Sequence, residues 1–115
     1  MTITDLTIRD LCRQAWAMAE AKGFHEGQPA DRTHTLLRFC LIHSEVSEAV
    51  QVVKRHGVGG DVVRGVLAEE LADVLIRLGD LAGGLGLDLT EAVQAKMGIN
   101  AQRPHGYGTP AEGVA

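Results

Sequence analysis

Apolar positions along this 115-residue chain recur at helical spacing, and no stretch shows clean apolar–polar alternation. The first periodic run starts at Thr4 or Thr7 and ends at Lys22, with Leu11, Ala15, Met18 and Ala19 on one side. Gly23 follows as the residue that stops it. "HEGQPAD" reads as a loop by its glycine and proline. A second run begins near Asp31 or Thr33, either a suitable N-cap, and continues through "LLRFCLIHSEVSEAVQVVKR" to Gly57. Asp61 is placed to cap a third run, "VVRGVLAEELADVLIRLGDLA", which fades at the glycines of "GGLG". Asp88, with Glu91 three residues on, resembles a capping box and opens a fourth run that Pro104 ends. The pattern predicts one all-α domain over residues 1–106, four helices with short connections and antiparallel neighbours, and a loosely ordered tail at 107–115.

Carboxylates interrupt this pattern where it should be oily. On the second helix Leu41, Glu45, Glu48 and Val52 fall in one narrow stripe. On the third, Val63, Val66, Glu70, Asp73, Val74, Arg77 and Leu81 share a face, while Glu69 points elsewhere. A single such pair is most simply a pair of solvated acids. Two pairs of matched spacing on adjacent helices point to a shared site. Four like charges in a partly dry place repel, and an isolated buried carboxylate protonates. Bound divalent cations remove both objections. Oxygen-only ligands select a hard ion, Mg²⁺ or Mn²⁺, over zinc. No Glu-x-x-His pair occurs, which argues against a di-iron site. On the fourth helix Leu89, Val93, Lys96, Asn100 and Arg103 line up on one face. Beside a metal cluster, that Lys and Arg suit a polyphosphate; taken alone, they complement the helix C-terminus.

Composition narrows the partners. Hydrophobic residues at 45% and charged residues at 23% describe a globular chain, and 3% aromatics leave the core to Leu, Val, Ile and Ala. A net charge of −4 offers no basic surface for duplex nucleic acid or an anionic membrane. No run approaches the ~20 apolar residues of a membrane span. Asp5, Arg9 and Asp10 break any signal-peptide pattern, so the expected location is cytoplasmic. Cys12 and Cys40 lie in helical patterns beside apolar residues without a CxxC and read as buried free thiols. A chain this short builds a modest core, which favours self-association.

The ordered motifs "SEVSE" (Ser44–Glu48), "ELAD" (Glu70–Asp73) and "KMGINAQRP" (Lys96–Pro104) resemble the MazG-like all-α nucleoside triphosphate pyrophosphohydrolases. Their pattern is EExxE, a spacer, ExxD, then KxxxNxxRP, and the similarity covers roughly residues 8–106. The resemblance implies a four-helix MazG-like fold completed by association into a homodimer or homotetramer. It also implies hydrolysis of a (deoxy)nucleoside triphosphate to the monophosphate and pyrophosphate, in nucleotide housekeeping or phage nucleotide metabolism. Glu45, Glu48, Glu70 and Asp73 would then hold Mg²⁺ or Mn²⁺, and Glu48 or Glu45 would orient or deprotonate the attacking water. Lys96 and Arg103 would clamp phosphates, and Asn100 would hydrogen-bond phosphate, sugar or another side chain. Trp16 or Phe24 would stack on the base, against the simpler reading of Trp16 as a core anchor. Arg77 would pair with Asp73, and His43 is a second-sphere or interface residue. Two departures stand out: Ser44 replaces the first Glu of EExxE, and "RPHGYG" replaces a longer basic "RPYRHGGK". They leave open a second reading, a helical oligomerisation or regulatory module whose catalysis has decayed.

Overall fold

Thr7 and Asp10 open the first helix by exchanging hydrogen bonds. The Thr7 hydroxyl accepts from the Asp10 N–H at 3.1 Å, and the Asp10 carboxylate accepts from the Thr7 N–H at 3.4 Å. This reciprocal box starts α1 (Ile8–Ala21). The structure, a computed structural model, describes residues 6–25 and 31–104. The alternative start at Thr4, loop residues 26–30 and the expected tail at 107–115 lie outside the described residues.

Gly23 ends α1 in the left-handed region at φ 76°, donating to the Glu20 carbonyl while Phe24 donates to that of Ala19. This paired closure satisfies the last carbonyls and turns Phe24 and His25 back toward the bundle. α2 (Arg32–His56) begins at Asp31, whose carboxylate accepts from the His34 N–H at 2.8 Å. It ends with Lys54, Arg55 and His56 before Gly57. α3 (Asp61–Leu85) and α4 (Leu89–Ala101) complete four helices, with no strand among the described residues. Asp88 caps α4 by accepting from the Glu91 N–H at 3.0 Å; only this half of the expected box forms.

Two expectations are corrected. Asp61 is the first residue of α3 rather than its cap, because Gly60 (φ 90°) takes the cap position. The turn closes with positive-φ glycines at both ends, Gly57 and Gly60, so the helix begins as soon as Gly60 is passed. α3 also does not fade at its first glycines: it runs through Gly83 and Gly84 to a left-handed stop at Gly86 (φ 68°). The reason is packing. A Cβ on Gly83 would fall 2.8 Å from both the Cys12 carbonyl oxygen and the Trp16 Cβ. Bare backbone there lets α1 lie close against α3.

α3 is the central element, packed on one side by α1 and on another by α2, while α4 rests on α1. From Arg38 onward the half-buried positions of α2 are Arg38, Ile42, Glu45, Ala49 and Val52, spaced alternately four and three. Val63, Leu67, Glu70 and Val74 of α3 follow the same rhythm, with buried Leu81 one heptad on. These are coiled-coil seams, and the short 57–60 turn makes them antiparallel. Ile42 and Ala49 therefore take the inward places expected of Leu41 and Glu48. The buried core is small: Cys12, Ala15 and Ala19 of α1 against Gly79, Leu81 and Ala82 of α3. Leu36, Leu37, Val46 and Val50 on α2 and Leu71, Leu75 and Ile76 on α3 remain exposed. No described helix is long and apolar enough to cross a membrane.

Candidate functional site

Glu45 and Glu70 sit on facing seams where leucine would ordinarily pack. Their carboxylates and that of Asp73 each place an oxygen within 4.8 Å of the other two. Glu45 is nearly covered, with 13% of its side chain exposed, and Glu45 Oε2 and Glu70 Oε2 are buried without a hydrogen-bond partner among the described residues. An orphaned carboxylate oxygen in a dry place carries a desolvation cost that a cation would relieve. Three carboxylate oxygens this close could converge on one ion, and the all-oxygen donor set suits a hard divalent cation.

Glu48 lies outside this trio, exposed on the flank of α2, yet belongs to the same field. Its carboxyl is raised above the ordinary glutamate range, first by the charge of Glu45 and then by the neighbouring carboxylate of Glu70. The four predicted acids thus meet in one region, three as a tight trio and one at its edge.

Arg77 neutralises part of the cluster. Its Nε–H donates to Glu45 Oε1 at 2.7 Å, across the α2–α3 seam rather than to Asp73 on its own helix as the sequence suggested. A pocket of about 270 Å³ is bounded by Glu45, Asp73, Arg77, Phe24 and Asp80. A neighbouring pocket of about 300 Å³ shares Phe24, Arg77 and Asp80 and adds His25 and Arg38. His25 is held between two carboxylates, with Nδ1 2.9 Å from Glu20 and Nε2 2.8 Å from Asp80. It also stacks on Trp16, ring centroids 5.7 Å apart. Trp16 is 37% exposed, so it is no fully buried anchor. Phe24 is the freer ring, 68% exposed and lining both pockets.

The predicted phosphate-binding residues stand apart. Lys96 is exposed on α4, and Asn100 Oδ1 is buried there without a partner among the described residues. Half-buried Arg103 lies beyond the helix, which ends at Ala101 rather than running on to Pro104 as expected. Among the described residues no hydrogen bond or ion pair ties any of them to the acids; α4 packs on α1, with Arg9 and Asp88 paired at 3.2 Å. Ser44 and His43 are exposed on α2. Cys12 is buried as expected, but Cys40 is exposed, because it lies on the face of α2 turned away from the Arg38–Ile42–Glu45 seam; both are free. Three pocket residues escaped the sequence reading: Arg38, Asp80 and the bridging role of His25. The signal for Arg38 was its place one heptad before Glu45. Neither the protein-family models nor the curated proteins give any match to this chain.

Proposed function

We propose that this chain is a divalent-metal-dependent nucleoside triphosphate pyrophosphohydrolase of the MazG-like kind, releasing pyrophosphate and the monophosphate. The observation that carries the reading is the convergence of Glu45, Glu70 and Asp73 oxygens within 4.8 Å, on helix faces that should be apolar. Those three carboxylates would hold Mg²⁺ or Mn²⁺, with Glu48 beside them. A bound ion would offset charge on the phosphate oxygens and make a water acidic enough to attack phosphorus. Glu48 suits proton handling: its carboxyl, raised by Glu45, binds a proton more readily than an isolated glutamate. Phe24 offers an exposed ring for the base, between the two pockets.

Lys96, Asn100 and Arg103 would serve the phosphates from a second copy of the chain, since α4 of the same copy packs on α1. The exposed aliphatic faces of α2 and α3 support a homodimer or homotetramer, because a chain with so small a core gains most by covering them. Light scattering of the eluting protein reads the assembly directly.

The test of the reaction is incubation with Mg²⁺ or Mn²⁺ and each deoxynucleoside triphosphate, with assay of pyrophosphate and monophosphate. Absence of product with all of them, together with no metal-dependent rise in melting temperature, would support the decayed helical module instead. Two observations favour that second reading: Ser44 in place of the first family glutamate, and the separation of Lys96 and Arg103 from the acids.

A further inference from the structure

Arg38 stands one heptad before Glu45 on α2, and Arg77 one heptad after Glu70 on α3. In an antiparallel hairpin these spacings set a cationic layer directly beside the acidic one. Both guanidinium groups line the pocket of about 300 Å³, and Arg77 also lines the adjoining pocket that holds Glu45 and Asp73. Arg77 therefore forms part of the wall between the two. Its Nε–H bond to Glu45 is its single hydrogen bond among the described residues, which leaves the outer N–H groups of its fork uncommitted. The side chain is 44% exposed and can turn. Arg38, across the same pocket, makes no hydrogen bond or ion pair among the described residues.

We propose that Arg77 is an exchangeable, substrate-contacting residue. Without an ion it neutralises Glu45; when a divalent cation takes Glu45, the guanidinium swings to the phosphate chain of the nucleotide, with Arg38 as the second contact. The proposal rests on the nucleotide reading above. The driving force is electrostatic. A guanidinium and a divalent ion on one carboxylate repel each other at close range, and the more mobile charge leaves. The planar fork then meets phosphate oxygens two at a time, which a point charge does less well. The same swing takes Arg77 out of the wall between the pockets, which Phe24 and Asp80 also line.

This exchange predicts effects of opposite sign from one substitution. Mn²⁺ alone, followed by electron paramagnetic resonance, should bind Arg77→Gln about threefold more tightly than wild type, because a competing cation is gone. A set of α,β-methylene deoxynucleoside triphosphates with Mg²⁺, followed by calorimetry, should bind Arg77→Gln about tenfold more weakly. Arg77→Lys should keep the wild-type Mn²⁺ affinity and recover part of the analogue affinity. In wild-type protein the Arg77 Nε–H resonance should shift when Mg²⁺ is added, a readout that holds even if Arg77→Gln fails to fold. Equal affinities in wild type and Arg77→Gln, both affinities moving in one direction, or an unmoved resonance overturns the exchange while leaving the nucleotide reading in place. Wild-type protein that binds neither Mn²⁺ nor any analogue overturns both.

Discussion

Gly83 of α3 lies directly beneath Trp16 of α1: a Cβ added to that glycine would stand 2.8 Å from the Trp16 Cβ. Bare backbone at this point lets the two helices lie close together, with Trp16 held over it beside His25. Gly65, on the same helix, meets nothing within 4 Å. Two glycine-to-alanine changes in one helix should therefore go opposite ways. Gly83→Ala should destabilise by about 1–3 kcal/mol through overpacking. Gly65→Ala should stabilise by about 0.5–1 kcal/mol, since alanine loses less freedom in a helix. Urea midpoints at matched protein concentration decide this, and a Gly83→Ala protein as stable as wild type would show that the helices are not in close approach.

The elevated Glu48 carboxyl carries a signed consequence for the ion-free protein. A carboxyl raised in the folded state binds protons more readily there than in the unfolded chain. Its contribution to stability is therefore lost as pH rises through the window just above the ordinary glutamate range, and regained as pH falls through it. Asp10, Asp31 and Asp88 run the other way, lowered chiefly by hydrogen bonds from Thr7, His34 and Glu91, and act only below the ordinary aspartate range. Relative to Glu48→Gln, wild-type protein in chelator should gain melting temperature on acidification from neutral pH to mildly acidic pH. Parallel melting curves for the two proteins across that interval would remove Glu48 from the cluster.

On the proposed reading, Asp73 would link the metal to the chemistry. Asp73→Asn should abolish turnover, leave the helical circular dichroism intact, and raise the melting temperature of the ion-free protein, because one of the crowded charges is gone. It should also lose the metal-dependent stabilisation, which at a hundredfold excess over the dissociation constant amounts to about 2.7 kcal/mol in wild type. Retained turnover in this variant would dismiss Asp73 as a ligand.

Lys96 tests whether α4 serves the acids, to which no hydrogen bond or ion pair among the described residues ties it within one copy. Lys96→Ala should raise KM by about tenfold with kcat little changed, the signature of lost phosphate binding. A mixture of Lys96→Ala with Asp73→Asn, each inactive or weak alone, should recover activity where subunits exchange, since one mixed site then carries both native residues. No recovery after verified exchange would place Lys96 outside any shared site.

The sequence disclosed the four helices because each carries its own punctuation: Asp31 and Asp88 as caps, Gly23 and Gly57 as stops. It also disclosed the acids, since Glu45 and Glu70 break an aliphatic rhythm. On α2 it placed Glu45 and Val52 correctly but misplaced the other two stripe positions by one residue, to Leu41 and Glu48 instead of Ile42 and Ala49. That helix bears aliphatic residues on other faces too, among them Leu36, Val46 and Val50, so periodicity alone singles out no one side. The run through Gly83 and Gly84 was hidden because a glycine pair reads locally as a stop, and only the neighbouring α1 explains it. The position of α4 was hidden for the same reason: a helix's own pattern says which face is apolar, not which neighbour receives it.

The brief turn at 57–60 has a consequence beyond joining α2 to α3. With Arg38 and Arg77 each one heptad from an acid, sliding one rod along the other by a single heptad would set plus against minus. Coulomb's law by itself prefers that slipped ladder. A connection of so few residues leaves no slack for the shift, so the turn keeps Glu45 level with Glu70, and Arg77 meets Glu45 by reaching diagonally across one layer.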